Sequence, residues 1–392
     1  MTETLRVGYI PLVDAAALIV AVDGGLTAAE GLNVELVRDV SWSNVRDKLN
    51  IGLLDAAHLL SPVAIASSLG IGHVRVPIVV PFNLGLNGNA ITVSPWLYED
   101  LAATGDLSDP AASARALARV IAERKARNAD LLTFGMTFPF SHHNYQLRFW
   151  MASADIDPNE DVRLVVLPPP YMVDSLASGH VDGFCVGAPW NSVAVGDGIG
   201  HILHFGCEIQ ARVAEKVFAV RESWAKAQPE LLSSLLRALA AAVRFLEQPE
   251  NQQPVAAMVA RRVGVESDLI ARALTGHLKV ASDGPVRSDP RYLLIGRDGA
   301  ARPDPVQAAW IYAQMVRWGQ APMSDKLLEI AQSVFRPDLY DAAVGAQLAG
   351  VHDSGDGVGA FTGPSFDPTD VGAHLAAWRV RNPSRPRLSL VR

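Results

Sequence analysis

Leu5-Arg6-Val7-Gly8-Tyr9-Ile10, an apolar stretch over residues 14–25, and then Val34-Glu35-Leu36-Val37 decide the architecture between them. The first run is short and apolar enough for a buried strand. Residues 14–25 are too continuously apolar for a surface strand, and they end in Gly24-Gly25, which suits a helix C-cap. Residues 34–37 alternate with period two. A strand, a helix and a second strand in such quick succession open an α/β fold.

Working outward, the same rhythm continues. A short helix is expected over residues 43–49, a strand over 56–60, a helix over 63–69, and short strands over 78–80 and 90–93. The alternation then restarts with a basic-faced helix over 110–128 (Arg115, Arg119, Arg124, Lys125, Arg127), strands over 132–136, 162–167 and 183–186, and helices over 144–154 and 171–178. A chiefly helical stretch follows over 229–246, 254–263, 268–278, 305–318 and 324–334. The Gly/Asp/Pro-rich end carries Arg379, Arg381, Arg385, Arg387 and Arg392. The pattern predicts two α/β lobes in series with mostly parallel sheets covered on both faces, a ligand cleft beyond the strand C-termini, and an extended helical C-terminal part. The expected divisions are residues 1–92 for the first part of lobe 1, 93–208 for lobe 2, 209–345 for a helical return to lobe 1, and 346–392 for a C-terminal extension.

Composition narrows the function. The 392 residues are 49% apolar and 19% charged with a net charge of -7, which excludes a largely disordered chain. The acidic balance argues against a whole-protein electrostatic grip on nucleic acid or anionic lipid. The two cysteines, Cys185 and Cys207, sit among apolar neighbours and read as buried core residues, neither a disulfide framework nor a zinc site. Met1-Thr2-Glu3 leads straight into the first strand without a basic start and apolar core, and the early run 15–22 is far short of the ~20 residues that cross a bilayer. A cytoplasmic location is therefore expected, with no membrane association. Sequence signatures for nucleotide binding and for the common hydrolases (GxGxxG, GxxxxGK[ST], HExxH, GxSxG) do not occur. His142 and His143 are adjacent and point about 100° apart on a helix, a poor metal pair. The expectation is a protein that is not an enzyme, with no metal and no cofactor.

Polar groups gather instead at expected strand ends and helix starts. Ser41-Trp42-Ser43-Asn44 opens a helix, where free amides and an indole donor suit a small anion, although Trp42 as a core plug and Ser43 as a plain N-cap suit the same positions. His143 falls near a helix N-terminus, where a cap or surface role is the plainer alternative. Gly187, ahead of Ala188-Pro189-Trp190-Asn191, permits close backbone approach at a strand end. Lys216 precedes the expected strand Val217-Phe218-Ala219-Val220 and by itself reads as a solvated edge residue. Asn87-Gly88-Asn89 reads as a turn.

The order of these segments is more specific than any one of them. Ser41-Trp42-Ser43-Asn44-Val45-Arg46-Asp47 with Ala56-Ala57-His58-Leu59-Leu60-Ser61-Pro62 resembles the SWxxxRDxL…GAHxLxP pattern of the nitrate- and bicarbonate-binding ABC-transporter proteins. Met136-Thr137-Phe138-Pro139 with His143 and Arg148-Phe149-Trp150, Leu167-Pro168-Pro169-Pro170, Asp182 to Asn191, and Glu215-Lys216-Val217-Phe218 resemble further blocks of that family, in order, over about residues 5–245. The resemblance implies a type II periplasmic-binding-protein fold closing on one planar oxyanion held by Trp42, Ser43, Asn89, His143, Gly187 and Lys216, with Lys216 as the firm cation. Two departures matter: Asn89 stands where the nitrate binders carry Gln, and Ala188 replaces a Glu, which leans away from bicarbonate.

Within the family, a member lacking an export signal looks like its cytosolic nitrate/nitrite sensor branch (the NasS type). That branch implies nitrate or nitrite as ligand and an RNA-binding antiterminator of the NasT type as protein partner, with no direct contact to nucleic acid. The basic helix over 110–128 and the Arg-rich C-terminus are candidate partner contacts or simply solvated faces. The alternative is the solute-binding component of a nitrate/nitrite (or bicarbonate) ABC transporter. An enzyme of the same fold, such as a thiamine-pyrimidine synthase relative, needs a Cys/His-rich iron segment that Cys185 and Cys207 do not provide.

Overall fold

The computed structural model describes residues 4–345 and 358–380. Two mixed sheets organise it. In the first lobe lie β1 (Thr4–Tyr9), β2 (Asn33–Arg38), β3 (Ala56–Leu60) and β4 (Ile78–Asn87). The second lobe holds β5 (Asn89–Val93), β6 (Thr133–Met136), β7 (Arg163–Val166), β8 (Gly183–Gly187) and β9 (His201–Phe205). The chain then returns through β10 (Ala214–Arg221), a small hairpin β11 (His277–Lys279) and β12 (Val286–Ser288), and β13 (Leu293–Leu294). Strand order is β13-β4-β10-β3-β1-β2 in one sheet and β7-β6-β8-β5-β9 in the other.

Each sheet is only partly parallel. β1 pairs parallel with β2 and β3, and β6 with β7 and β8, as consecutive β-helix-β units require. The strands that carry the chain across between lobes run the other way: β10 lies antiparallel between β3 and β4, and β5 antiparallel between β8 and β9. A strand arriving from the opposite lobe enters from the far end of the sheet, so local alternation alone does not report its direction.

The crossing falls earlier than the expected boundary at residue 92. β4 runs ten residues, not three, and Asn87-Gly88-Asn89 is no surface turn; it passes the chain from one sheet to the other, so β5 already belongs to lobe 2. Gly88 adopts φ +88, and a Cβ there would meet Leu293 Cδ1 at 2.7 Å, so only glycine fits this passage. Asn87, itself left-handed at φ 60, fastens the two crossings together. Its Nδ2 donates to the carbonyls of Ala211 and Arg291 at 2.9 and 2.8 Å, and its Oδ1 accepts from Val213 N at 3.0 Å. Asn87→Ala is expected to cost about 2–3 kcal/mol, because three hydrogen bonds vanish and alanine tolerates φ > 0 less well than asparagine does. Urea unfolding checks it by a lowered midpoint.

Helices cover both sheets. The helix Pro305–Arg317 packs on the lobe 1 helices Ser61–Leu69 and Asp325–Val334, yet its Trp310 stacks on Phe149 of the lobe 2 helix His142–Ala152 with centroids 5.4 Å apart. The described C-terminal stretch, with the helix Val371–Ala376, seats Trp378 edge-on against the same Phe149 at 5.0 Å and pairs Ala360 with Gln210. Arg317 lies buried among the rings of Trp378, Phe149 and Trp318, with its guanidinium carbon 4.2, 4.6 and 4.6 Å from their centroids, and burial lowers it to about 9. Arg379 meets Asp155, whereas Arg381, Arg385, Arg387 and Arg392 lie outside the described residues. The basic helix is Pro110–Ala126, capped by Asp109, whose carboxylate accepts from Ala112 N at 2.8 Å. Among the described residues no helix is long and apolar enough to cross a membrane.

Candidate functional site

Between the lobes, six elements bring buried polar side chains together. The β2 end leads into the helix Trp42–Asn50 through Asp39, which accepts from Val40 N and Ser41 N and pairs with Lys48 at 2.7 Å. That turn lays Trp42, 1% exposed, against β3, with its ring edge-on to His58 at 5.4 Å. Helix amides in the first turn have no intrahelical acceptor, so the backbone N–H groups of Trp42 and Ser43 remain as donors. Ser43's own hydroxyl lies 2.6 Å from that of Ser41 and takes no part in the cluster.

Lys216 is the centre. It sits inside β10, not ahead of it, and is fully buried where a solvated edge lysine was the plain alternative. Its Nζ lies 2.9 Å from Glu215 Oε1, 3.1 Å from Asp14 Oδ2 and 5.5 Å from the centroid of Trp42. Burial by itself would lower the ammonium, but the two carboxylates outweigh it and hold Lys216 above its ordinary value. Burial likewise opposes ionisation of Asp14, and Lys216 with His58 holds it below the usual carboxylate range. His58 Nδ1 accepts from Ile10 N at 3.4 Å, leaving its Nε2–H to donate to Asp14 Oδ1 at 2.9 Å.

From the second lobe come His143, Asn89 and Gly187. Ser141 caps the helix His142–Ala152 by accepting from Asn144 N, which fixes both histidines at its first turn. His143 Nδ1 lies 2.9 Å from Thr137 Oγ1, and its Nε2 lies 3.4 Å from Glu215 Oε1 with no hydrogen-bond partner among the described residues. With Thr137 donating, Nε2 carries the hydrogen and faces Glu215. Asn89 donates from Nδ2 to Glu215 Oε2 at 3.1 Å, so its amide orients a carboxylate across the crossing. Gly187, paired with Asn89, brings bare backbone against the cluster: a Cβ there would lie 3.4 Å from Asp14 Oδ2 and 3.7 Å from Lys216 Nζ. The two lobes touch here, with Val13 N donating to Ala188 O at 2.9 Å.

The chemistry on offer is that of a small polar guest. Trp42 Nε1 and His143 Nε2 are buried donors without partners among the described residues, and the Lys216 ammonium lies beside them. Trp42, Asn89, His143, Gly187 and Lys216 are thus brought to one place, while Ser43 contributes at most its backbone. Sequence reasoning passed over Asp14, His58, Thr137 and Glu215. Asp14 and Thr137 sit in the loops leaving β1 and β6, and strand-end position is the one signal that pointed to them. Replacing Glu by Ala188 also does not leave the site free of acid, because Asp14 and Glu215 supply it. Cys185 and Cys207 are buried, and burial raises both thiols above their ordinary value, so neither is an activated nucleophile. Among the described residues no three His, Cys, Asp or Glu side chains are grouped to hold a metal.

The buried histidines set a pH dependence of stability. Burial lowers His142 from 6.5 to about 3 and His143 from 6.5 to about 4. The unfolded chain therefore binds more protons than the folded one between these values, and stability rises with pH across that window. Thermal melts should climb between pH 4 and the ordinary histidine value of 6.5 and level off above it. A midpoint that stays constant through this range would contradict the burial of both rings.

Two α/β lobes, joined by paired crossings and closed on a cluster of buried donors, define a two-lobed ligand-binding protein of the periplasmic-binding-protein fold. The chain belongs to the NMT1-like family, whose profile matches residues 1–260. It is 30% identical over 398 residues to the nitrate/nitrite binding protein NrtA of Nostoc sp., covering 97% of this chain and 86% of that one. To the bicarbonate transport ATP-binding protein CmpC of Synechocystis sp. it is 33% identical over 379 residues, 95% of this chain but 54% of the relative, so it spans about half the length of that protein. Among solved structures, the periplasmic nitrate-binding protein NrtA from Synechocystis superposes with a TM-score of 0.86 at 26% identity, covering 97% of this chain and 99% of that chain.

Proposed function

We propose that the chain is a receptor, not an enzyme, and that it encloses nitrate or nitrite between its lobes. The observation that carries this is the convergence of two unpartnered buried donors, Trp42 Nε1 and His143 Nε2, on the buried Lys216 ammonium. A planar monovalent oxyanion needs several N–H donors and one fixed cation, and no bond-breaking group. The likeness to NrtA, which extends over nearly the whole chain, supports the same ligand class. Isothermal titration with nitrate, nitrite, bicarbonate and sulfate tests it. Heat with nitrate or nitrite is expected, and none with either refutes the reading.

For the cellular role we propose a cytoplasmic sensor, in which the anion favours the closed form and an RNA-binding antiterminator of the NasT type binds the open one. A ligand shifts such an equilibrium only through its different affinity for the two forms. The alternative, a transporter's solute receptor, shares the anion step and differs in its partner. Capture of the antiterminator by the purified chain, released by nitrate, is expected; capture insensitive to nitrate refutes the sensor role.

A further inference from the structure

The charges enclosed in the cleft do not balance. Lys216 gives one positive charge, Asp14 and Glu215 two negative ones, all at most 1% exposed. Facing this set are His58 from β3, His142 and His143 from the helix His142–Ala152, and Cys185 from β8, each neutral when the histidines are unprotonated. The ammonium meant to greet an anion is thus already shared between two carboxylates, and an added anion brings the enclosed sum to two negative charges. Such an excess away from water is strongly disfavoured. A proton cures it, and the group placed to take one is the Glu215 carboxylate, whose Oε1 lies 3.4 Å from the N–H-bearing Nε2 of His143, itself without a hydrogen-bond partner among the described residues.

Resting on the receptor reading above, we propose that the cleft takes up one proton from solvent with each monovalent oxyanion, that the proton rests on Glu215, and that this charge rule turns away dianions such as sulfate. Burial lowers His143 to about 4, with Glu215 opposing and Lys216 reinforcing that effect, so near neutrality the ring is uncharged and keeps its Nε2–H for the anion. Asn89 belongs to the same device, since its amide holds the other oxygen of Glu215.

Nitrate is the probe, because it does not itself titrate near neutrality. Titration of the full chain in two buffers of different ionisation enthalpy should show about one proton absorbed per nitrate, and Kd should rise about tenfold per pH unit between roughly pH 6 and 8. Glu215→Gln removes one negative charge, so nitrate should then bind without proton uptake and with a flat Kd. Nitrate binding to the unaltered chain with no proton absorbed overturns this inference and leaves the receptor reading standing. Full proton uptake retained in Glu215→Gln overturns the assignment to Glu215. No nitrate binding at any pH overturns the receptor reading and this inference with it.

Discussion

Lys216→Ala is expected to weaken nitrate or nitrite binding by at least about a hundredfold, roughly 2.7 kcal/mol, the scale of a charge-assisted hydrogen bond lost from a dry site. The same change should cost about 3–5 kcal/mol of stability, because Asp14 and Glu215 are left buried without their shared cation. Its pH signature differs from that of the parent. Unpaired buried carboxylates hold protons more tightly folded than unfolded, so the variant should regain stability as the pH falls, opposite to the trend set by His142 and His143. Lys216→Met keeps the volume and isolates the charge. Calorimetry and melts at several pH values check both effects, and a folded variant with unchanged nitrate affinity would remove Lys216 from the site.

The second large effect concerns Trp310. This ring is 1% exposed, stacked on Phe149 of lobe 2, and edge-on to Phe366 at 5.2 Å and His374 at 5.1 Å in the C-terminal stretch. Trp310→Ala should cost about 3–5 kcal/mol through the cavity it leaves between a lobe 1 helix and its two neighbours. Hydrogen exchange should rise in the helix Val371–Ala376, whose seat includes that ring. If exchange there stays unchanged, the tryptophan does not hold the C-terminal stretch in place.

Much of this was legible beforehand, for a definable reason. Strands such as Leu5–Ile10 and Gly183–Val186 and the helices between them announce themselves by local periodicity, and strand ends are where α/β folds place polar side chains. That is why Trp42, His143, Gly187 and Lys216 could be marked from residue type and position, with the family resemblance setting them in one pocket. Sequence spacing does not show who pairs with whom across 126 or more positions. Asn89 was placed in the pocket by the family resemblance, and spacing gave no sign that its amide donates to Glu215, a partner 126 residues away. Asp14, which the sequence marks only as the start of an apolar helix, proves to be a counter-charge of Lys216. The direction of β10 was equally hidden, because only the second lobe's position dictates from which end the chain re-enters the sheet.

One consequence of the paired crossings reaches beyond this fold. The first passes through Gly88 directly into Asn89, and the second reaches Glu215 and Lys216 two and three residues after Val213, which Asn87 holds. Articulation and recognition are written on the same few peptide units. A lineage that acquires a different guest must therefore rewrite its joints as well, and relatives that diverge in selectivity should diverge in tempo of opening too. Anyone recasting the chain as a biosensor inherits that bargain: response speed and guest choice are tuned together or not at all.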